Sequence, residues 1–278
     1  MATVAPGALV VVPTPIGNPE DITLRALRAL READVVAAED TRVAAELLRE
    51  HGLRRPLLSC HDHNEEARAD EIVARVRSGE RVALVSDAGT PLVNDPGFRV
   101  VRACIAAELP VEVLPGPCAA VTALVGAGLP VDRFFYAGFV PRDASSRDAL
   151  FEELGAVQAT LVFYESPLRL PDTLEALAAR WPTRRVCAAR NLTKTWEQWL
   201  RGTAAEVRAA LGDETRGEVV LLVGAGEARE RPAEADVDAT IDGLLQRGMS
   251  PREVRDAVAE AFGMPRREAY AQVLARTR

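Results

Sequence analysis

The chain has one lysine, Lys194, and four asparagines, Asn18, Asn64, Asn94 and Asn191. Arginine fills every other position among its 34 Lys plus Arg. Lysine is a compact ammonium that can lose its proton, whereas arginine is a permanent planar cation. Lys194 is therefore a candidate for a role that arginine cannot fill. The four cysteines, Cys60, Cys104, Cys118 and Cys187, are far apart and show no CxxC spacing. That pattern points to reduced thiols rather than to a disulfide framework or a metal site. The three histidines do not suggest a metal site, and no metal is expected. No apolar run reaches the roughly 18 residues of a membrane span. The segment Met1–Gly7 lacks the basic stretch and apolar run of a secretory signal, so a cytoplasmic protein is expected.

What is present suits a globular α/β protein. Hydrophobic residues make up 48% of 278, enough for a sizeable core in two domains of ordinary size. The net charge of -7 disfavours a protein that grips nucleic acid by bulk electrostatics. The charge is uneven, however. Residues 247–278 carry seven arginines against four acids, a balance of +3, which leaves -10 on the rest. A basic segment on an acidic body suits a polyanionic partner, or it is an ordinary solvated helix face.

Short apolar runs alternate with helical patterns. Ala8–Val12, Asp34–Ala38, Pro56–Cys60, Arg81–Val85 and Val111–Leu114 read as strands. Helical spacing falls between them, and Gly52 sits where a helix cap belongs. Such alternation implies a parallel sheet covered by helices. A second unit begins near Pro130, with strands at Phe134–Ala137, Thr160–Tyr164, Arg185–Ala189 and Glu218–Val223. Helices are expected at Ser146–Leu154, Leu168–Ala179 and Ala204–Leu211, and a further strand at Trp196–Leu200. Residues 227–238, charged and holding Pro232, read as a linker. The tail follows with a capping box at Ser250–Glu253 and an apolar stripe of Val254, Ala257, Val258 and Ala261. Gly263 and Pro265 break it before a second helix. Helix-turn-helix, packing onto the body and dimer contact are all open for this tail. The expected domains are residues 1–129, 130–226, and a linker with helical tail at 227–278.

The loops that follow strands hold the chemistry, because ligands of such sheets bind beyond the carboxyl ends of the strands. After the first strand comes Pro13-Thr14-Pro15-Ile16-Gly17-Asn18-Pro19. A dinucleotide fold needs several glycines here for approach to a pyrophosphate. One glycine among three prolines argues against NAD and FAD, and a P-loop is missing. Ser86-Asp87-Ala88-Gly89-Thr90-Pro91 places an acceptor carboxylate beside two small residues. It is either a ligand loop or an Asp turn with a positive-φ glycine. Pro115-Gly116-Pro117-Cys118-Ala119-Ala120 opens a helix whose free amides can face a carboxylate.

Eight motifs in order carry a resemblance. They are PTPIGNPEDITLRAL, AAEDTR, HDHNEE, ALVSDAGTPLVNDPG, LPGPCAAVTAL, GLPVDRF, FYESPLR and LTKTWE. Over residues 8–224 the chain resembles the ribosomal RNA small subunit methyltransferase I family, within the tetrapyrrole methylase superfamily. The tail's Arg266–Leu274 is similar too. The resemblance implies a parallel N-terminal sheet, a mixed C-terminal sheet and a helical tail. It implies S-adenosylmethionine in the cleft between two α/β domains, and a homodimer. It implies methyl transfer to a cytidine 2′-hydroxyl in the decoding region of 16S ribosomal RNA, within a small ribosomal subunit. Cofactor contacts are expected at Thr14, Pro15, Asp87, Ala88, Gly89, Thr90, Cys118, Ala119 and Tyr164. The family commonly has Glu where this chain has Asn191, so no carboxylate stands there.

Methyl transfer needs alignment and a nucleophile whose proton can be drawn off. Candidate bases or orienting groups are His63, Glu165 and Lys194. Lys194 acts as a base if its pKa falls, or as a cation holding phosphate or ribose. A tetrapyrrole C-methyltransferase and a non-catalytic nucleotide- or ribosome-binding module are the rival readings. HDHNEE and LTKTWE count against the first.

Overall fold

The computed structural model describes residues 7–212, 216–226, 234–262 and 264–277. The chain forms two compact units, Met1–Ala225 and Gly226–Arg278. The larger unit holds two five-stranded sheets.

The first sheet contains β1 (Leu9–Val11), β2 (Val35–Ala38), β3 (Leu57–Ser59), β4 (Val82–Val85) and β5 (Val111–Val113). Its order is β3-β2-β4-β1-β5, and every pairing is parallel. The three central strands read LVV, VVAA and VALV and are buried throughout. Continuous apolar runs are what a strand covered on both faces requires. Successive side chains leave opposite faces of a strand. Val10, Val36, Ala38, Ala83 and Val85 accordingly pack in a cluster with Ala26, Leu30, Ala44 and Leu48. These come from α1 (Leu24–Glu32) and α2 (Thr41–Glu50). Leu9, Val11, Val35, Ala37 and Leu84 join Ile72, Val76, Val100 and Cys104 on the other side. Those come from α3 (Glu65–Arg77) and α4 (Phe98–Ala106). Thr23 and Asp40 cap α1 and α2 with their side chains. Gly52 follows α2 at φ 67 and closes it, as its position in the sequence suggests.

α5 (Ala119–Gly126) leads into the second sheet. Its strands are β6 (Phe134–Phe139), β7 (Thr160–Glu165), β8 (Arg185–Arg190), β9 (Gln198–Thr203) and β10 (Val219–Val223). The order is β6-β7-β10-β8-β9. β6 and β7 are parallel, because α6 (Ala144–Leu154) crosses between them, and the remaining pairs are antiparallel. One face packs on α6, α7 (Leu170–Arg180) and α8 (Ala204–Ala210) around Phe151, Leu174, Val207 and Leu221. The other face, with Val162, Val220 and Leu222, packs on Ala120, Ala123 and Leu124 of α5 and on Ile16. This apolar seam brings the loop after β1 and the start of α5 against the second sheet.

Several expected boundaries move. The strand expected at Trp196–Leu200 is β9, two residues later, because the 191–197 turn occupies the first positions. The helix expected to open within Pro115–Ala120 starts at Ala119, with Cys118 extended before it. The helix expected from Leu168 starts at Leu170, and that expected from Ser146 starts at Ala144, capped by Asp143.

The smaller unit has three helices where two were expected. They are α9 (Glu234–Gln246), α10 (Pro251–Phe262) and α11 (Arg266–Arg276). Of the expected linker, residues 227–233 lie outside the described residues, and its remainder is helix. The reason is burial: Val237 and Ile241 join Val254, Val258, Ala269 and Val273 in one core. From the expected stripe Ala261 is exposed. Gly263 lies outside the described residues, and Pro265 stands at the N-cap of α11. The capping box is present: Glu253 N–H donates to Ser250 Oγ and Ser250 N–H to Glu253 Oε2. Among the described residues no helix is long and apolar enough to cross a membrane.

Candidate functional site

The loops after β1, β4 and β5 are tied to one another. Thr14 N–H donates to the Gly89 carbonyl at 2.8 Å, and Gly89 N–H donates back to Thr14 at 3.0 Å. Thr14 Oγ1 donates to the Ser86 carbonyl at 3.3 Å. Thr90 Oγ1 donates to the Pro117 carbonyl at 2.8 Å. Gly89 holds φ 80, which suits glycine. From β2, Asp40 N–H donates to Asp87 Oδ1 at 3.0 Å. The strand order puts β4 between β2 and β1, and these bonds carry that order outward into the loops.

They frame a cavity of about 430 Å³. Asp87, Ala88, Gly89, Thr90, Cys118, Ala119 and Tyr164 all line it, so seven of the nine expected cofactor contacts meet at one place. Thr14 and Pro15 do not. Thr14 is buried with its backbone and hydroxyl spent on the clasp, and both residues line a second cavity of about 220 Å³ beside α2. Ile16 takes their place in the main cavity.

The lining is acidic. Glu39, Asp87, Asp95, Glu165 and Glu218 face the cavity, and no Lys or Arg lines it among the described residues. Burial first, then the charges of Asp87, Asp95 and Asp62, raise the Glu39 carboxyl to about 7. Burial raises Asp95 to about 6, with Asp87 and Asp62 adding and a Ser86 hydrogen bond opposing. Burial lifts the Tyr164 phenol to about 12 and pushes Tyr136 upward as well. Glu39, Asn94 and Asp95 also line the cavity, although none is among the expected cofactor contacts. AAEDTR and LVNDPG follow or lie near strand ends, which was the available signal. Asn94 sits at φ 68 and Leu92 at φ 73, in a left-handed region that L-residues seldom adopt. Such conformations concentrate at ligand sites.

The three candidate bases separate. His63 is exposed, makes an edge contact with His61 and does not line the cavity. Glu165 lines the cavity, but its carboxylate is committed. Arg169 pairs with it at 2.6 Å, Ser166 N–H donates to Oε1 at 2.6 Å and Thr173 Oγ1 to Oε2 at 2.6 Å. A carboxylate so satisfied anchors β7 to α7 and is poorly placed to take a proton. Lys194 pairs with Glu218 at 2.9 Å, and Glu218 lines the cavity. Its stem lies against Gly17, where a Cβ would come within 2.7 Å of Lys194 Cγ. Asn191 is buried at φ 51 and its Oδ1 accepts from Glu218 N–H at 3.3 Å. The 191–194 turn thus sets Lys194 between Gly17 of the first loop and Glu218 of the cavity wall. In HDHNEE, buried Glu65 caps α4 through Gly97 and Arg99 N–H, a structural duty. Among the described residues no three His, Cys, Asp or Glu side chains converge as metal ligands.

Two packed sheets with a cavity at the strand ends make this an α/β protein with a ligand-sized pocket. Residues 8–208 match the tetrapyrrole (corrin/porphyrin) methylases. The chain is 46% identical to ribosomal RNA small subunit methyltransferase I of Micromonospora olivasterospora, over 96% of this chain and 86% of that one. It is 45% identical to the enzyme of the same name from Escherichia coli O157:H7, over 96% and 95%. A solved uroporphyrin-III-C-methyltransferase from Thermus thermophilus superposes with a TM-score of 0.55 at 25% identity, over 78% of this chain and 94% of that one. The chain belongs to the tetrapyrrole methylase family and, within it, to the ribosomal RNA small subunit methyltransferase I family.

Proposed function

We propose that the protein transfers a methyl group from S-adenosylmethionine to the 2′-hydroxyl of a cytidine in the decoding region of 16S ribosomal RNA. The observation that carries the reading is the acidic cavity without a basic residue, in a chain 46% identical to an rRNA methyltransferase. A cofactor bearing phosphate would meet carboxylates there. A sulfonium ligand would fit, since Glu39, Asp87 and Asp95 line the space that would hold it. Bound there, the cofactor supplies an electrophilic methyl group. Ala88, Gly89 and Ala119 leave room for close approach, and Asp87 holds the donor rather than activating the acceptor. Lys194, paired at the mouth, positions an RNA phosphate or ribose.

The acidic main unit is compatible with RNA because contact is delegated. Arg247, Arg252 and Arg267 of the smaller unit are exposed and have no carboxylate within ion-pair distance among the described residues. Arg255, Arg266 and Arg276 are occupied by Asp256, Asp238 and Asp242. A homodimer belongs to the same reading and is supported by apolar surface left open at Val113, Val121 and Val125. The test is transfer of labelled methyl to small-subunit particles, free rRNA and a porphyrinoid. Label on a cytidine ribose of the particles is expected. Label on the porphyrinoid, or on no RNA, overturns the reading.

A further inference from the structure

Three rings form a ladder into the cavity. Tyr136 and Tyr164 meet edge to face with centroids 5.3 Å apart, and Tyr164 meets Phe139 in the same way at 5.5 Å. Tyr136 OH donates to Asn94 Oδ1 at 2.7 Å, which ties the ladder to the loop beyond β4. Phe139 is the last ring. It lines the cavity yet is 53% exposed. A bulge between Tyr136 and Gly138, with Gly138 at φ 71, sets its direction at the end of β6. Bulges re-aim side chains next to sites. The ring is thus fixed by its neighbours while much of its surface stays open at the mouth.

A methyl donor is one of two ligands such a cavity must serve. The other must bring a hydroxyl to it, and unpaired bases are held by stacking on aromatic faces. We propose that Phe139 is the platform on which the base of the acceptor nucleotide stacks, so that its ribose faces the methyl donor. The inference rests on the RNA reading above.

The test uses the full chain, small-subunit particles and the variants Phe139→Leu and Phe139→Trp. Phe139→Leu should raise KM for particles about tenfold, the order of one lost base stack, with kcat held within a few-fold. Phe139→Trp should restore KM. Donor affinity by calorimetry should change far less than KM, and mass by sedimentation should match the parent in both variants. Unchanged KM in Phe139→Leu, lost donor binding or an altered oligomeric state overturns the inference. Methyl transfer by the parent with an unmoved KM in the variant removes this inference alone. Failure of the parent to methylate RNA removes the wider reading with it.

Discussion

Replacing Glu39 by Gln should stabilise the ligand-free protein above neutral pH and weaken the grip on the methyl donor. The Glu39 carboxyl stands at about 7 instead of 4.5, through burial and the charges of Asp87, Asp95 and Asp62. The folded chain therefore holds this proton more tightly than the unfolded chain. Below 4.5 both states are protonated and the side chain is not penalised. As pH rises toward 7 the unfolded chain ionises first and stability falls. Above 7 the folded protein carries the full penalty of an ionised Glu39. A gap of about 2.5 pH units corresponds to at most about 3.4 kcal/mol at 1.36 per unit. Glu39 is partly exposed, so solvent screening reduces this to about 1–2 kcal/mol. Glutamine keeps an acceptor for Asp87 N–H and removes the charge. The variant should melt a few degrees above the parent at pH 8 and together with it near pH 4. The same charge attracts a sulfonium. S-adenosylmethionine should bind the variant severalfold more weakly at pH 8, and the uncharged-sulfur product should be affected less. Thermal melts across pH with calorimetry for both ligands would settle it. A variant no more stable than the parent at pH 8 refutes the electrostatic account.

Asp87→Ala should abolish donor binding in calorimetry while leaving a folded protein, since the side chain is exposed and makes one hydrogen bond, to Asp40 N–H. Undiminished binding would contradict the assignment of this loop. Gly217→Ala should lower the melting temperature by several degrees, because Gly217 holds φ 98 and a Cβ would overlap the Asn191 amide; such strain costs about 1–3 kcal/mol. A change of all three of Arg247, Arg252 and Arg267 to Glu should weaken particle binding and flatten its salt dependence, with donor affinity intact. Equal salt slopes for variant and parent would exclude the smaller unit from RNA contact. Truncation is better made at Gly226 than within 234–246, since α9 shares the core of α10 and α11.

Most of the strands and helices, and the loops that line the cavity, were legible in the sequence because each rests on local physics. Apolar runs such as Val82–Val85 declare strands buried on two faces, and Ser250 announces a helix start. The loop at Asp87 could be placed at a strand end, and seven expected contacts do converge there. The fate of individual polar groups was not legible. Thr14, an expected cofactor contact, has its backbone and hydroxyl closed on Gly89 and Ser86. Glu165, a candidate base or orienting group, has its oxygens held by Arg169, Ser166 and Thr173. Conversely Glu39 and Asp95 gained their high pKa values, and Phe139 its place in the ring ladder, from residues dozens of positions away. Periodicity and capping act over a few residues, so a sequence states them directly. Burial, charge repulsion and the saturation of a carboxylate are sums over neighbours that only the folded chain assembles.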